Sequence, residues 1–146
     1  DLKQPLDALH RSLVEQGLVG AEIAAVTGGL IPVGGLRDAL VLENILFVGD
    51  AAGLTHPISG AGIAAAIASG ELAGEAAGHF LRQQRANALA EYENEIRERY
   101  APSLQRALAR RRQLEDCWQA EMNDARHRRG WIAFPEYFEA ANSDSV

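Results

Sequence analysis

The stretch Ile45–Gly74, ILFVGDAAGLTHPISGAGIAAAIASGELAG, decides the fold of this chain. It begins with the apolar run Ile45–Val48, which predicts a buried central strand of a parallel sheet. Gly49 and Asp50 end that run and place one carboxylate at the carboxyl end of the strand, where open α/β sheets bind ligands. The stretch therefore predicts a strand, a tight loop and a helix, with a ligand site between them.

The residues after Asp50 favour close contact with a ligand. Residues 51–53 are all small, so a bulky group could lie against the backbone. The HPISG sequence at 56–60 has the composition of a turn. From about Gly60 the sequence GAGIA predicts a helix whose first turn has no large side chain at its start. Its free N–H groups would remain open to a ligand with partial negative charge.

This arrangement resembles the second FAD-binding motif of class A flavoprotein monooxygenases and their relatives. Within that superfamily it is most similar to the geranylgeranyl reductases. The matching features are GDAAG at 49–53, Pro57, Gly60, GI at 62–63 and Ser69-Gly70, preceded by GGLIPVGG at 28–35. The resemblance covers residues 28–78, and the order of these features makes it more specific than a lone GxG.

The resemblance implies a role for individual residues. Asp50 would accept hydrogen bonds from the ribityl hydroxyls of FAD, because a carboxylate offers several acceptor sites. Backbone N–H groups at the helix start would face the pyrimidine edge of the flavin, where the helix dipole stabilises negative charge. The alternatives are a capping Asp and glycines required only by the turn. The implied cofactor-binding residues are Gly49, Asp50, Ala51, Pro57, Gly60, Gly62, Ile63 and Ala64.

His56 and Ala61 depart from the family motif, since the reductases usually carry Asn and Glu there. These departures bear on the substrate and not on the cofactor. His56 is the one histidine near the expected flavin, and imidazole titrates near neutral pH. It is the candidate catalytic residue, as a proton donor or substrate anchor. The alternative, which the sequence favours, is a loop histidine bound to the backbone.

The chain has 146 residues, enough for one domain, and a formal net charge of −6. This charge argues against non-specific nucleic-acid binding. One Cys, Cys117, excludes an internal disulfide, and no Cys/His cluster indicates a metal. No apolar run is long enough to span a bilayer. We expect a cytoplasmic protein, with contact at a membrane surface left open, and the Arg-rich, Ala-rich composition suggests a bacterial genome of high GC content.

The GxGxxG motif that binds the ADP half of FAD in the resembled family does not occur in this sequence. The expected fold class is therefore α/β, as the C-terminal part of a Rossmann-like FAD-binding flavoprotein. We expect one or two sheet strands, a flavin-facing helix and C-terminal helices. Residues 1–35 would form the end of a substrate domain and the connection that leads back to the FAD-binding domain. Residues 36–85 would form the C-terminal piece of the FAD-binding domain. Residues 86–146 would form a C-terminal helical region with an aromatic tail.

The spacing of apolar residues and the positions of glycine and proline predict the remaining secondary-structure elements. Val19–Val26 is predicted to be a strand or an extended segment. The predicted helices are Pro5–Gly17, Gly60 to about Leu81, Ala86–Tyr100 and Ser103 to about Asp124, with Pro102 dividing the last two. Gly70, Gly74 and Gly78 share one helix face, which predicts close approach of a neighbour, against the alternative of a loosely built helix.

Three features outside the motif allow functional and structural interpretations. The basic clusters at 110–112 and 126–129 predict solvated helix faces paired with nearby acids, or contact with an anionic surface. Cys117-Trp118 favours packing over redox chemistry. The aromatic residues from Trp131 to Phe138 could wall a substrate tunnel, dock on a subunit or cap the core, and residues 142–146 are expected to be disordered.

The predicted function is that of an FAD-dependent oxidoreductase, with reduction or hydroxylation of a hydrophobic or aromatic substrate and NAD(P)H as a candidate electron donor. In such enzymes the cofactor carries the chemistry and the protein supplies position and electrostatics. The alternative is a non-catalytic partner that completes the FAD site with a second chain carrying GxGxxG. A third hypothesis, an Ala-rich helical domain without a ligand, is disfavoured by Asp50 at the end of an apolar strand.

Overall fold

The computed structural model describes residues 3–116 and 123–139. The chain divides into two compact units, Asp1–Leu30 and Ile31–Val146, and the candidate site lies within the second unit. In chain order the elements are α1 Lys3–Glu15, β1 Val41–Leu42, β2 Ile45–Leu46, a first 3-10 turn Gly49–Ala52, α2 Ile63–Gln83, α3 Ala88–Asp116, α4 Asp124–Gly130 and a second 3-10 turn Pro135–Phe138.

The first unit contains α1, which confirms the predicted amphipathic helix. The helix is followed by Gly17 at φ +68°, a conformation that favours glycine. Of the two alternatives for Val19–Val26, the strand is wrong, because this segment is irregular and exposed. Val19 and Ile23 instead line a shallow groove with the leucines of α1, about 330 Å³ in volume. A strand requires a partner, and the described part of this unit provides none.

The apolar run at Ile45 forms a hairpin and not a central parallel strand, so that part of the prediction is wrong. β1 and β2 pair antiparallel, with Val41 opposite Leu46 and Leu42 opposite Ile45. Glu43 in the connecting turn has φ +53°, which lets the chain reverse within two residues. Leu42 and Ile45 are 54% and 55% exposed, because only one face of this small sheet is covered.

The core of the second unit lies where α2 and α3 pack together beside the hairpin. Tyr92 on α3 is buried, and its hydroxyl donates a hydrogen bond to the carbonyl oxygen of Phe47, which follows β2. The buried residues of this apolar cluster come from the loops as well as from the two helices. They are Leu40, Ala52, Leu54, Ala76, Leu89, Tyr92, Ile96 and Leu104.

Pro102 lies inside α3, which runs without a break from Ala88 to Asp116. The prediction of two helices separated by this proline is therefore wrong. Ile96 and Leu104, on either side of the proline, belong to the same buried cluster. Residues eight positions apart lie on one helix face, so a single helix buries both. Burial of this face outweighs the cost of an interior proline, about 3 kcal/mol relative to alanine.

The glycines of α2 do not approach a neighbouring element within the described residues. A Cβ placed at Gly70 or Gly74 would meet no atom within 4 Å, and one at Gly78 would meet only Arg82 of the same helix. The expected close contact is thus wrong for the described part of this chain. The face that carries these glycines also carries exposed Ile63 and Leu81, at 81% and 75% exposure.

Two backbone segments approach closely at Gly53, immediately after the first 3-10 turn. Gly53 has φ +76°, and a Cβ there would lie 2.0 Å from the carbonyl oxygen of Gly35. The N–H of Arg37 also donates to the carbonyl of Ala52 at 3.2 Å. The segment before β1 is therefore held against the loop that follows β2, and glycine is required at the contact.

The last part of the second unit is held to α3 by a buried arginine. Asn123 caps α4 by accepting a hydrogen bond from the N–H of Arg126 at 2.9 Å. Arg110 on α3, which is 5% exposed, donates to backbone carbonyls of the second 3-10 turn. Arg110 is thus not part of a solvated face, contrary to the prediction for the 110–112 cluster. The predictions for Cys117, Trp118 and residues 142–146 lie outside the described residues.

Gly53→Ala should lower the free energy of unfolding by about 2–4 kcal/mol, because the new Cβ meets backbone and the residue keeps a positive φ. Gly74→Ala is the matched control, since its Cβ enters open space in a helix interior. That variant should gain about 0.5–1 kcal/mol. Urea-induced unfolding of both variants measures the difference, and equal effects at the two positions would contradict the described packing at Gly53.

Candidate functional site

Asp50 lies in the first 3-10 turn, directly after the hairpin, with an exposed side chain. Its Oδ1 accepts a hydrogen bond from the hydroxyl of Thr55, which is 1% exposed. A buried hydroxyl with one partner fixes the direction of the carboxylate while the other oxygen remains available to a ligand. The structure therefore presents Asp50 as an oriented acceptor at the surface.

Gly49 fixes the start of the loop against α2. Its N–H donates to the hydroxyl of Ser69 at 3.0 Å, and this hydroxyl donates to the carbonyl of Ala66 at 3.2 Å. Gly49 has φ +50°, and a Cβ there would lie 2.9 Å from the Cβ of Ala66. Only glycine satisfies both the conformation and the space. Because the N–H of Gly49 is already bonded inside the fold, this residue contributes to the site by fixing the backbone before Asp50.

The N-terminus of α2 is open. Gly62 is the N-cap, and no side chain caps the helix there. The first helical bond runs from the N–H of Ala66 to the carbonyl of Gly62 at 2.8 Å, so the three preceding helical N–H groups have no partner within the helix. Ile63 and Ala64 are exposed. These groups and the helix dipole together favour an acceptor or a negative charge at this end of α2.

Asp50 and the N-terminus of α2 lie side by side. A Cβ placed at Gly62 would lie 3.1 Å from Oδ1 of Asp50 and 3.4 Å from Oγ1 of Thr55. Any larger residue at 62 would have to displace the carboxylate or the threonine. The sequence prediction that the Asp and the helix start share one site is consistent with this geometry. The site offers a carboxylate acceptor and backbone donors within one exposed patch of small residues.

The turn at 56–61 leads the chain from the loop into α2. The N–H of His56 donates to the carbonyl of Ala61 at 2.8 Å, and the N–H of Gly60 donates to the carbonyl of His56 at 2.9 Å. Gly60 has φ +70°, which favours glycine. Pro57 is fully buried, and its carbonyl accepts a hydrogen bond from Arg111 of α3 at 2.9 Å. Pro57 therefore supports the turn through packing and its carbonyl.

The imidazole of His56 bonds to the same turn. Its Nδ1 accepts hydrogen bonds from the backbone N–H groups of Ile58 and Ser59 at 3.3 and 3.2 Å. Because Nδ1 accepts, the proton of the neutral ring is assigned to Nε2. Nε2 lies 3.4 Å from the hydroxyl oxygen of Tyr137. Burial lowers the pKa of His56 below its usual value of 6.5, which also favours the neutral ring.

These contacts are those of a loop histidine bound to the backbone, the alternative that the sequence favours. The catalytic role of His56 stays a prediction. The cofactor roles of the eight motif residues also stay predictions, although Asp50, Gly62 and the start of α2 lie together. Gly49 and Pro57 are buried, so they contribute to the site by holding the backbone.

Four further residues shape the site without having been assigned a role from the sequence. Thr55 orients Asp50, Ser69 holds Gly49, and Arg111 and Tyr137 contact the turn. Ser69 belongs to the Ser-Gly pair of the motif, so the sequence did indicate that this residue contributes to the site. Arg111 and Tyr137 are 54 and 81 residues from their partners in the chain, a separation that no local pattern reveals.

In residues 3–116 and 123–139, no group of three or more His, Cys, Asp or Glu side chains could hold a metal ion. Over the same residues, no helix combines the length and the apolar character needed to cross a bilayer.

Comparison with known proteins shows the family to which this chain belongs. The family model described as "Lycopene cyclase protein" matches residues 3–129. The chain belongs to this family. The match includes α1, the hairpin, the loop with Asp50 and the whole of α2 and α3. No solved structure matches the chain.

Several curated relatives carry one name, digeranylgeranylglycerophospholipid reductase. The protein of Methanococcus aeolicus is 35% identical over 117 residues, which are 79% of this chain and 30% of the relative. A protein of Methanothermobacter thermautotrophicus is 32% identical over 82% of this chain and 31% of its own length. That of Methanocella arvoryzae is 33% identical over 70% of this chain and 26% of its own length.

These matches confirm the resemblance to the FAD-dependent oxidoreductase superfamily that contains the geranylgeranyl reductases. The chain spans about 30% of the length of the curated relatives. These relatives are archaeal, so the bacterial source inferred from composition stays a prediction.

Ser69→Ala should lower the free energy of unfolding by about 1–3 kcal/mol, because the buried N–H of Gly49 would lose its acceptor. Ser103→Ala on the exposed side of α3 is the matched control and should change stability by at most about 0.5 kcal/mol. Chemical denaturation measures both variants. A loss at Ser69 no larger than that at Ser103 would show that this hydrogen bond does not hold the loop.

His56 should make stability depend on pH. Its pKa is lowered in the fold, so its contribution is fully present above its ordinary pKa of 6.5 and is lost as the pH falls through the lower folded value. His56→Asn should remove this dependence, because an Asn oxygen can accept the same backbone bonds without titrating. Urea unfolding near neutral pH and near pH 5 tests this. An equal loss in the two proteins would contradict the role of the neutral ring.

Proposed function

We propose that this protein binds FAD at the start of α2 and takes part in flavin-dependent reduction of carbon–carbon double bonds in an isoprenoid lipid. One observation carries the proposal. In a chain of this family, the exposed carboxylate of Asp50 lies beside an uncapped helix N-terminus whose first residues are small. An acceptor and a set of donors at this spacing suit a ligand that has hydroxyl groups beside an electron-poor ring.

The residues present fit this cofactor. Asp50 would accept hydrogen bonds from the ribityl hydroxyls, as the family resemblance implies. Thr55 binds only Oδ1, so the second carboxylate oxygen could accept these bonds. The N–H groups of Ile63 and Ala64 would face the flavin ring. Gly60 and Gly62 leave room for close approach, and Ala51 is exposed. When bound, FAD would supply the hydride-transfer chemistry.

The contribution of this chain to the reaction is electrostatic and positional. The positive end of α2 would stabilise negative charge that develops on a bound ring, and the preformed N–H groups require no rearrangement to do so. Ser69 holds the loop at Gly49 against α2, and Thr55 holds the carboxylate of Asp50 in a fixed direction. His56 keeps its Nδ1 in backbone hydrogen bonds, so we assign it no proton transfer.

The substrate class follows from the names of the relatives. They are reductases of a digeranylgeranyl lipid, and we infer the same class, a hydrophobic polyprenyl substrate, for this protein. Reduction of each double bond consumes a hydride and a proton, so the reaction requires an external two-electron donor. We propose NADH or NADPH for this role. Hydroxylation, the alternative reaction expected from the sequence, has no counterpart among these names.

The site also requires a segment that binds the ADP half of FAD, and one face of α2 would receive it. This face is apolar and exposed, with Ile63, Ile67 and Leu81 along it and open space above Gly70 and Gly74. The curated relatives are about three times as long as the region matched here. We infer that the region carrying GxGxxG in such proteins packs on this face, within one polypeptide or as a second chain.

The proposal is tested with natively purified protein, so that any co-purifying polypeptide stays bound. We expect flavin absorption bands, or flavin fluorescence quenching on titration with FAD. Asp50→Ala should raise the FAD dissociation constant about 10–100-fold, as expected for losing charge-assisted hydrogen bonds of about 1.5–3 kcal/mol. Asp38→Ala, which removes another exposed carboxylate of the same unit, is the matched control and should leave the affinity unchanged.

Intact-mass analysis of the same sample separates the two forms of the proposal. Flavin together with a second polypeptide would support a two-chain site, and flavin with one polypeptide would support a single-chain enzyme. Protein that neither retains nor takes up FAD would contradict the proposed function. Equal affinity of the Asp50 and Asp38 variants would contradict the site.

A further inference from the structure

The second 3-10 turn is fastened to α3 by Arg110. Its guanidinium donates to the carbonyls of Glu136, Tyr137 and Glu139 at 2.7–3.3 Å. Its Nη1 donates to the side-chain oxygen of Gln113 at 3.0 Å. Because Arg110 is 5% exposed, these bonds satisfy a charge that water does not reach. The backbone around Tyr137 is therefore rigidly placed.

The next residue of α3, Arg111, holds a different segment. Its Nη1 donates to the carbonyl of Pro57 in the turn at 56–61, and its Nε pairs with Glu115. Two adjacent arginines of one helix thus fix the second 3-10 turn and the turn that precedes α2. The two segments meet at the imidazole of His56 and the aromatic ring of Tyr137.

Tyr137 and His56 make that meeting point. Tyr137 is 1% exposed, and its ring centroid lies 6.5 Å from that of His56. A buried tyrosine hydroxyl requires a hydrogen-bond partner, and the contact described for it is Nε2 of His56 at 3.4 Å. Since Nδ1 of His56 accepts from two backbone N–H groups, Nε2 carries the proton and donates to the tyrosine oxygen.

The contact connects the C-terminal segment with the entrance of α2. His56 closes its turn twice, through Nδ1 and through its backbone bonds to Gly60 and Ala61. The turn leads directly to Gly62, which lies against Asp50. A ring that rotated about its Cα–Cβ bond would release the N–H groups of Ile58 and Ser59. The tyrosine hydroxyl opposes that rotation because it binds the opposite side of the ring.

We propose that Tyr137 is a positioning residue for the turn at 56–61, acting through the Nε2–H tautomer of His56. Its effect on FAD rests on the proposed function, whereas its effect on the turn does not. Tyr137 lies 87 residues after Asp50 in the chain, so the C-terminal segment would set the geometry of a site formed by much earlier residues. The sequence motif contains no residue of this segment.

Tyr137→Phe is the informative variant, because it removes the hydroxyl and keeps the buried ring. Amide hydrogen exchange at Ser59 should become about 3–10-fold faster, and the FAD dissociation constant should rise by a similar factor, as expected for losing one hydrogen bond. Tyr100→Phe, on a half-buried part of α3, is the matched control and should change neither quantity. Nitrogen NMR of the imidazole should report a protonated Nε2 in the wild type.

A double-mutant cycle separates this role from simple packing. His56→Asn keeps an acceptor for the turn but loses the contact with Tyr137, so adding Tyr137→Phe to it should have no further effect on Ser59 exchange or FAD affinity. An undiminished effect in that background would overturn the proposal. If Tyr137→Phe does not fold, nitrogen NMR of the wild-type imidazole decides, and a proton on Nδ1 instead of Nε2 would overturn the proposal.

The two proposals fail in different ways. Wild-type protein that binds no FAD contradicts the proposed function, and Ser59 exchange in Tyr137→Phe then decides the positioning role alone. Unchanged exchange in that variant overturns the role whether or not FAD binds. Faster exchange with unchanged FAD affinity, in a protein that does bind FAD, would overturn the connection between the turn and the cofactor.

Discussion

One buried hydrogen bond, from the N–H of Gly49 to the hydroxyl of Ser69, holds the two halves of the candidate site together. It joins residues 20 positions apart and sets the loop after β2 directly on the first turns of α2. The positive φ of Gly49 and its contact with Ala66 allow no larger residue there. Asp50 follows in the chain, so its place beside the N-terminus of α2 is a consequence of this bond.

The parts of the fold that local patterns specify were predictable from the sequence. Periodic leucines specify α1, and the small residues around Gly62 specify an open helix start. The partner of the strand at Ile45 was not predictable, because an apolar run does not state whether its neighbour is parallel or antiparallel. Pro102 wrongly predicted a helix break for a related reason. The free-energy cost of an interior proline can be read from the local sequence, whereas the compensating burial comes from the face of α3 that packs with α2.

The candidate site shows the same division. Asp50 and the helix start are predictable because they lie within one continuous motif. Thr55 and Ser69 required the loop geometry, since a hydroxyl in a sequence does not reveal its partner. Arg110 and Tyr137 act across the fold, and the sequence favoured a solvated face for the former. The glycines of α2 suggested a close neighbour, and in the described residues that helix face is open.

Arg110 binds the second 3-10 turn through main-chain oxygens and not through side chains. Hydrogen bonds to main-chain carbonyls depend on the path of the backbone and little on which side chains the segment carries. The segment could therefore accept substitutions at Glu139 without losing its place on α3, whereas the side chain of Glu136 also pairs with Arg128 at 2.7 Å. Substitutions should be rare at Arg110 and frequent along the segment that it holds, apart from the buried Tyr137 and the paired Glu136. Comparisons that rank residues by sequence variability would then underrate a segment whose position is tightly fixed.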